Sequence, residues 1–137
     1  MKLSDEIKKK IEEEQRVWIE KQYCNQSKKE RMKRGAFYTP YNLVIKMIEK
    51  FPDLDGQICD PCLGAGHLIA GCIIAGADPK LCYGIEIDKD TYEFAVNRLS
   101  TLGVPKENIF LGSCFDNNIW EKIEGKKKFR FGVEPSK

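Results

Sequence analysis

Apolar residues recur along this chain in two rhythms, and the switching between them predicts the fold. Ile7, Ile11 and Trp18 recur at near-heptad spacing in a highly charged stretch, flanked by Val17 and Ile19. This predicts a helix over residues 4–30 with a narrow apolar stripe, packed on the domain or on a second copy. Ser4 is its candidate cap, and Asp5 and Glu6 suit the positive end of the helix dipole. Gly35-Ala36-Phe37-Tyr38-Thr39-Pro40 breaks that pattern. The residue before a proline is driven to an extended conformation, and proline readily opens a helix. Leu43, Val44, Met47, Ile48 and Phe51 then fall on one helical face.

Short apolar runs begin beyond the turn at Pro52-Asp53-Leu54-Asp55-Gly56. Strands are expected at 57–60, 81–87, 108–111 and 129–133. The segments between them read as helices: an apolar one at 67–75, one capped by Asp88 and running to about Leu102, and a short one at 115–123. Tyr92, Ala95, Val96 and Leu99 face inward in the second of these, and Gly103 ends it. Strand–helix alternation predicts an α/β fold, a mostly parallel Rossmann-like sheet with helices on both faces. Right-handed crossovers give the order 3-2-1-4. A ligand crevice then opens at the carboxyl ends of the strands, where the order reverses. Asp60, Glu86, Ser113 and Glu134 converge on that crevice. We divide the chain into an amino-terminal charged helix, 1–34, and a domain, 35–137.

A length of 137 residues allows one domain. The net charge of +2 is too small to argue for a nucleic-acid partner by itself, but the basic residues cluster. Lys28, Lys29, Arg31, Lys33 and Arg34 form one group, and Lys126, Lys127, Lys128 and Arg130 another. Each reads as a solvated segment or as a DNA phosphate contact. The six cysteines are scattered, mostly inside apolar runs, which fits free thiols in a reducing cytoplasm. Cys59 and Cys62 have C-x-x-C spacing without a second pair, so we assign them to packing and expect no metal. No membrane span or signal peptide is expected.

Three elements carry chemistry: Phe37-Tyr38-Thr39-Pro40, then Asp60-Pro61-Cys62-Leu63-Gly64-Ala65-Gly66, then Gly84-Ile85-Glu86-Ile87-Asp88. An acid closing a strand, a glycine turn and a following helix hold a nucleoside cofactor, because glycine lets the backbone approach and the helix amino terminus faces the ligand. A nicotinamide site would want G-x-G-x-x-G, and here Ile69 stands at the third glycine position. In this order the elements resemble N6-adenine DNA methyltransferases, class I enzymes dependent on S-adenosylmethionine, and especially the modification subunits of type I systems. The resemblance implies that Phe37, Tyr38, Thr39 and Pro40 cover the methionine end of the cofactor, with Thr39 near its carboxylate. It implies that Asp60, Gly64 and Gly66 line the methionine and sulfonium portion, and that Glu86 accepts both ribose hydroxyls. It further implies that Ile87 packs on the adenine, that Ser113 stands in for the usual acceptor of its amino group, and that Phe115 packs against the purine. Pro61, Cys62, Ala65, Asp88 and Cys114 complete the implied cofactor-binding set. His67, the single histidine, reads as a small contribution to that pocket or as a solvent-facing filler.

The same family carries an Asn/Asp-Pro-Pro-Tyr/Phe motif at the end of strand 4, which holds a flipped base. Here the segment is Glu134-Pro135-Ser136-Lys137, so the motif is degenerate and the methylase core looks truncated. We assign no catalytic residue beyond the degenerate candidates Glu134 and Pro135. The expectation is a cofactor-binding protein unable to methylate DNA alone. The alternatives are an active adenine methylase subunit completed by self-association or a partner chain, and a ligand-free scaffold or regulator of a restriction-modification system. An uncovered fourth strand, with Phe129, Phe131 and Val133 along its edge, predicts a homodimer or a partner protein. The expected setting is the cytoplasm of a bacterial or phage-infected cell.

Overall fold

The computed structural model describes residues 1–24 and 39–124. Its elements are α1 (Asp5–Cys24), α2 (Tyr41–Glu49), β1 (Ile58–Asp60), α3 (His67–Ile74), β2 (Cys82–Glu86), α4 (Lys89–Thr101), β3 (Ile109–Leu111) and α5 (Asn117–Glu124). Single 3₁₀ turns, Pro79–Leu81 and Lys106–Asn108, lead into β2 and β3. The fold is α/β. All strand pairs are parallel and β2 lies between β1 and β3. The expected fourth strand lies outside the described residues, as do Phe37, Tyr38, both basic clusters and Glu134 to Lys137.

Alternation along the strands sends side chains to two separate cores. Ile58, Cys82 and Ile109 join a large cluster with Ile11, Val44, Ile48, Ile69, Ala95 and Leu99, drawn from α1, α2, α3 and α4. Cys59, Tyr83 and Ile85 face the other way and pack on Ile119 and Ile123 of α5. Helices therefore cover both faces, as the alternation predicts.

Helix α1 shares the larger core, where Leu3 and Ile11 are buried. Ser4 Oγ accepts the Ile7 N–H at 3.2 Å, the expected cap. Trp18 meets Phe94 of α4 edge-on at 5.6 Å between centroids, and the Lys21 ammonium lies 4.3 Å from the Trp18 ring centre. The stripe on α1 thus packs on its own chain. Helix α2 corrects the predicted apolar face: it buries Val44, Ile45 and Ile48, while Leu43 and Met47 are exposed. Its seat is Gly71 of α3, where an added Cβ would lie 2.7 Å from Val44 Cγ1 and 3.0 Å from Ile48 Cδ1.

Candidate cofactor site at the strand carboxyl ends

Three loops leave the carboxyl ends of the strands and are fastened to one another by β2. Leu63 N–H donates to the Ile85 carbonyl at 2.9 Å, which fixes the glycine loop after β1. Gly112 N–H donates to the Glu86 carbonyl at 2.8 Å, which fixes the loop after β3. Glu86 then closes the arrangement with its side chain. Oε1 accepts the Gly64 N–H at 2.8 Å and Oε2 accepts the Asp88 N–H at 2.9 Å. Each carboxylate oxygen keeps a second acceptor position for a ligand.

The glycines answer different needs. Gly64 has φ +58°, a left-handed conformation, and a Cβ built there meets no atom within 4 Å. The cradle is open on that side. Gly66 has φ +86° at the start of α3, with Leu99 side-chain atoms 3.2–3.3 Å from any added Cβ. Gly84 lies in β2 beneath the loop, where an added Cβ would come 2.7 Å from Leu63 Cδ1 and Cδ2. Two large apolar side chains stand open beside the crevice, Ile87 at 72% and Phe115 at 89% exposure.

Charge is unevenly solvated here. Burial raises the Asp60 carboxyl to about 6; the Cys62 N–H, bound at 3.0 Å, works against this and the Glu86 carboxylate adds to it. Below the loop, Arg98 is 1% exposed. Its Nε donates to Glu14 Oε2 at 2.9 Å and its Nη2 pairs with Glu14 Oε1. Nη1 reaches the Ala65 carbonyl at 3.1 Å and His67 Nδ1 at 2.6 Å. Burial, then the Arg98 charge, lowers the His67 pKa to about 3, so the ring is neutral. A guanidinium only donates, which makes Nδ1 the acceptor and leaves the ring proton on Nε2.

The structure brings Asp60, Pro61, Cys62, Gly64, Ala65, Gly66, Glu86, Ile87, Asp88, Ser113, Cys114 and Phe115 to one end of the sheet, through the β1 and β3 loops and the end of β2. Burial and then the neighbouring Cys114 thiol raise the Cys62 pKa. Two readings need correction. His67 is buried against Arg98 instead of facing solvent, because the salt-bridged guanidinium needs an acceptor there. Cys62 is exposed and is no packing residue, whereas Cys59 is fully buried with its thiol pushed up to about 12 by burial and Asp60. The Asp88 carboxylate caps α4, accepting Thr91 N–H at 2.9 Å, so its contribution to the crevice is its backbone N–H. Ser113 Oγ accepts the Phe115 N–H at 3.1 Å. Sequence reasoning missed Glu14, Gln15 and Arg98. Gln15 Nε2 donates to the Thr39 carbonyl at 2.5 Å, just before Pro40 opens α2.

Among the described residues no helix is long and apolar enough to cross a membrane, and no group of three or more His, Cys, Asp or Glu side chains could hold a metal ion. Neither the curated proteins nor the solved structures provide a match to this chain. The family model described as N-6 DNA methylase matches residues 17–131, from within α1 through all three strands. That span is most of the sequence, and the chain belongs to the N-6 DNA methylase family.

Proposed function

We propose that the chain binds S-adenosylmethionine at the strand carboxyl ends and is the cofactor-holding part of an adenine-specific DNA methylase. The observation that carries this is Glu86: a carboxylate held by two backbone N–H groups, beside a left-handed Gly64 whose missing Cβ leaves open space. Family membership supports it, since domains of this family generally depend on that cofactor. The residues fit the group. Glu86 offers one acceptor position per oxygen to a ribose diol, and Ile87 and Phe115 offer apolar surface to a purine. Asp60 offers a carboxylate to a cationic methionine end, and the resemblance assigns Thr39 and Pro40 to the cover of that end. When bound, S-adenosylmethionine supplies an electrophilic methyl group.

The protein's part is to bind and orient. The fastening of both loops to β2 sets the crevice before the ligand arrives, which lowers the ordering cost of binding. In this reading the sheet continues in the order 3-2-1-4, with the fourth strand at 129–133. These 137 residues contain no Asn/Asp-Pro-Pro-Tyr/Phe segment, so in this reading the groups that present a flipped adenine come from outside them. The basic clusters of Lys28, Lys29, Arg31, Lys33 and Arg34 and of Lys126, Lys127 and Lys128 are the candidate DNA contacts. The test is thermal unfolding of the chain with S-adenosylmethionine added. A midpoint that climbs with ligand concentration is expected; a midpoint that stays fixed up to millimolar ligand rejects the reading.

A further inference from the structure

In the cofactor reading above, the methionine end of the ligand is held between two segments far apart in sequence, the Thr39-Pro40 entry to α2 and the glycine loop, and helix α1 hydrogen-bonds toward both from adjacent residues. Glu14 holds Arg98, whose Nη1 donates to the Ala65 carbonyl of the glycine loop. Gln15, 4% exposed, donates to the Thr39 carbonyl. We infer that Gln15 is a positioning residue for ligand binding: it fixes Thr39 relative to the glycine loop, and so sets the methionine-end wall of the site. This rests on the cofactor reading above.

The environment of Gln15 argues that its role is not simply stability. Its Oε1 is buried and has no hydrogen-bond partner among the described residues. An orphaned buried acceptor is a standing penalty that an apolar side chain of the same length avoids. The Thr39 carbonyl, by contrast, belongs to a half-buried residue and can turn to water if Gln15 is lost. A side chain in such a place does little for folding that methionine could not do. What only the amide supplies is a donor that fixes the Thr39 backbone. Glu14→Gln is a poor probe of the same idea, because it strips the counter-charge from a buried guanidinium and unsettles the whole fold.

The experiment is calorimetric titration of wild-type protein and Gln15→Met with S-adenosylmethionine and, separately, with adenosine, which lacks the methionine part. Thermal unfolding of both proteins without ligand accompanies it. Expected are an unchanged or higher unfolding midpoint in Gln15→Met, about tenfold weaker S-adenosylmethionine binding, the scale of one hydrogen bond, and unchanged adenosine binding. Equal S-adenosylmethionine affinity in the two proteins overturns the inference while the cofactor reading stands. Equal losses for both ligands, or a lowered midpoint with affinity retained, overturn it too, by showing general loosening or a purely structural residue. Absence of binding by the wild-type protein overturns the cofactor reading and this inference with it.

Discussion

Gly84 is the point at which the sheet sets the height of the proposed binding loop, and its substitution gives the sharpest structural prediction. An alanine methyl there would sit 2.7 Å from both Leu63 Cδ atoms and 3.0 Å from Cγ. Leu63 is 3% exposed and its N–H is bonded to Ile85, so it has little room to turn aside. Overpacking of this kind costs about 1–3 kcal/mol, partly offset by the ~0.4–1 kcal/mol gained when a glycine's unfolded-state freedom is removed. We expect Gly84→Ala to lose about 1–2 kcal/mol. Leu63→Ala, which empties the same space, should lose about 3 kcal/mol. In the double variant the new methyl occupies part of the vacated volume, so the losses should fall short of their sum by about 2 kcal/mol. Urea unfolding with unchanged slope measures all three through their midpoints. Additivity within about 0.5 kcal/mol, or a neutral Gly84→Ala, would refute the claim that Leu63 bears directly on Gly84.

The Glu14–Arg98 pair and the Asp60 carboxyl give further predictions. Glu14→Ala should destabilise by about 3 kcal/mol in urea unfolding, because Arg98 stays buried with too few acceptors, and adding Arg98→Leu should recover most of it; a loss below ~1 kcal/mol would reduce the pair to a surface ion pair. Asp60, raised to about 6, takes up a proton on folding between pH 3.8 and 6, so its contribution to stability falls as pH rises through that window. His67, lowered to about 3, acts oppositely: its contribution is present above 6.5 and is lost as pH falls towards 3. The two offset each other between pH 4 and 6. Asp60→Asn should therefore make stability fall with acid more steeply than in the wild type, by about 1.4 kcal/mol per pH unit; parallel profiles would contradict the raised carboxyl.

The parts of the site legible in the sequence are those set by local rules. Asp60, the glycine turn and Glu86 announce themselves because a strand end, a left-handed residue and a helix start need particular residues at fixed offsets. Asp88 was readable as a cap for the same reason. What stayed hidden depends on contacts distant in sequence. Arg98 and Glu14 are 84 residues apart, and nothing in either neighbourhood marks a charge that will be buried. Gln15 looks like one more polar residue on a charged helix until α1 is docked. On α2 the apolar positions cover more than one face, so periodicity alone could not decide that Val44, Ile45 and Ile48 go inward and Leu43 and Met47 outward. His67 was misread because its partner, Arg98, comes from another helix.

The central claim is that Glu86 holds an adenosyl cofactor. Calorimetric titration with S-adenosylmethionine, wild type beside Glu86→Gln, tests it most directly. Glutamine can still accept at one atom but presents an amide where a ribose hydroxyl needs an acceptor. Saturable one-to-one binding is expected of the wild type, weakened at least tenfold in Glu86→Gln at a temperature where both are folded. Equal affinity in the two proteins, or no binding by the wild type, would contradict it.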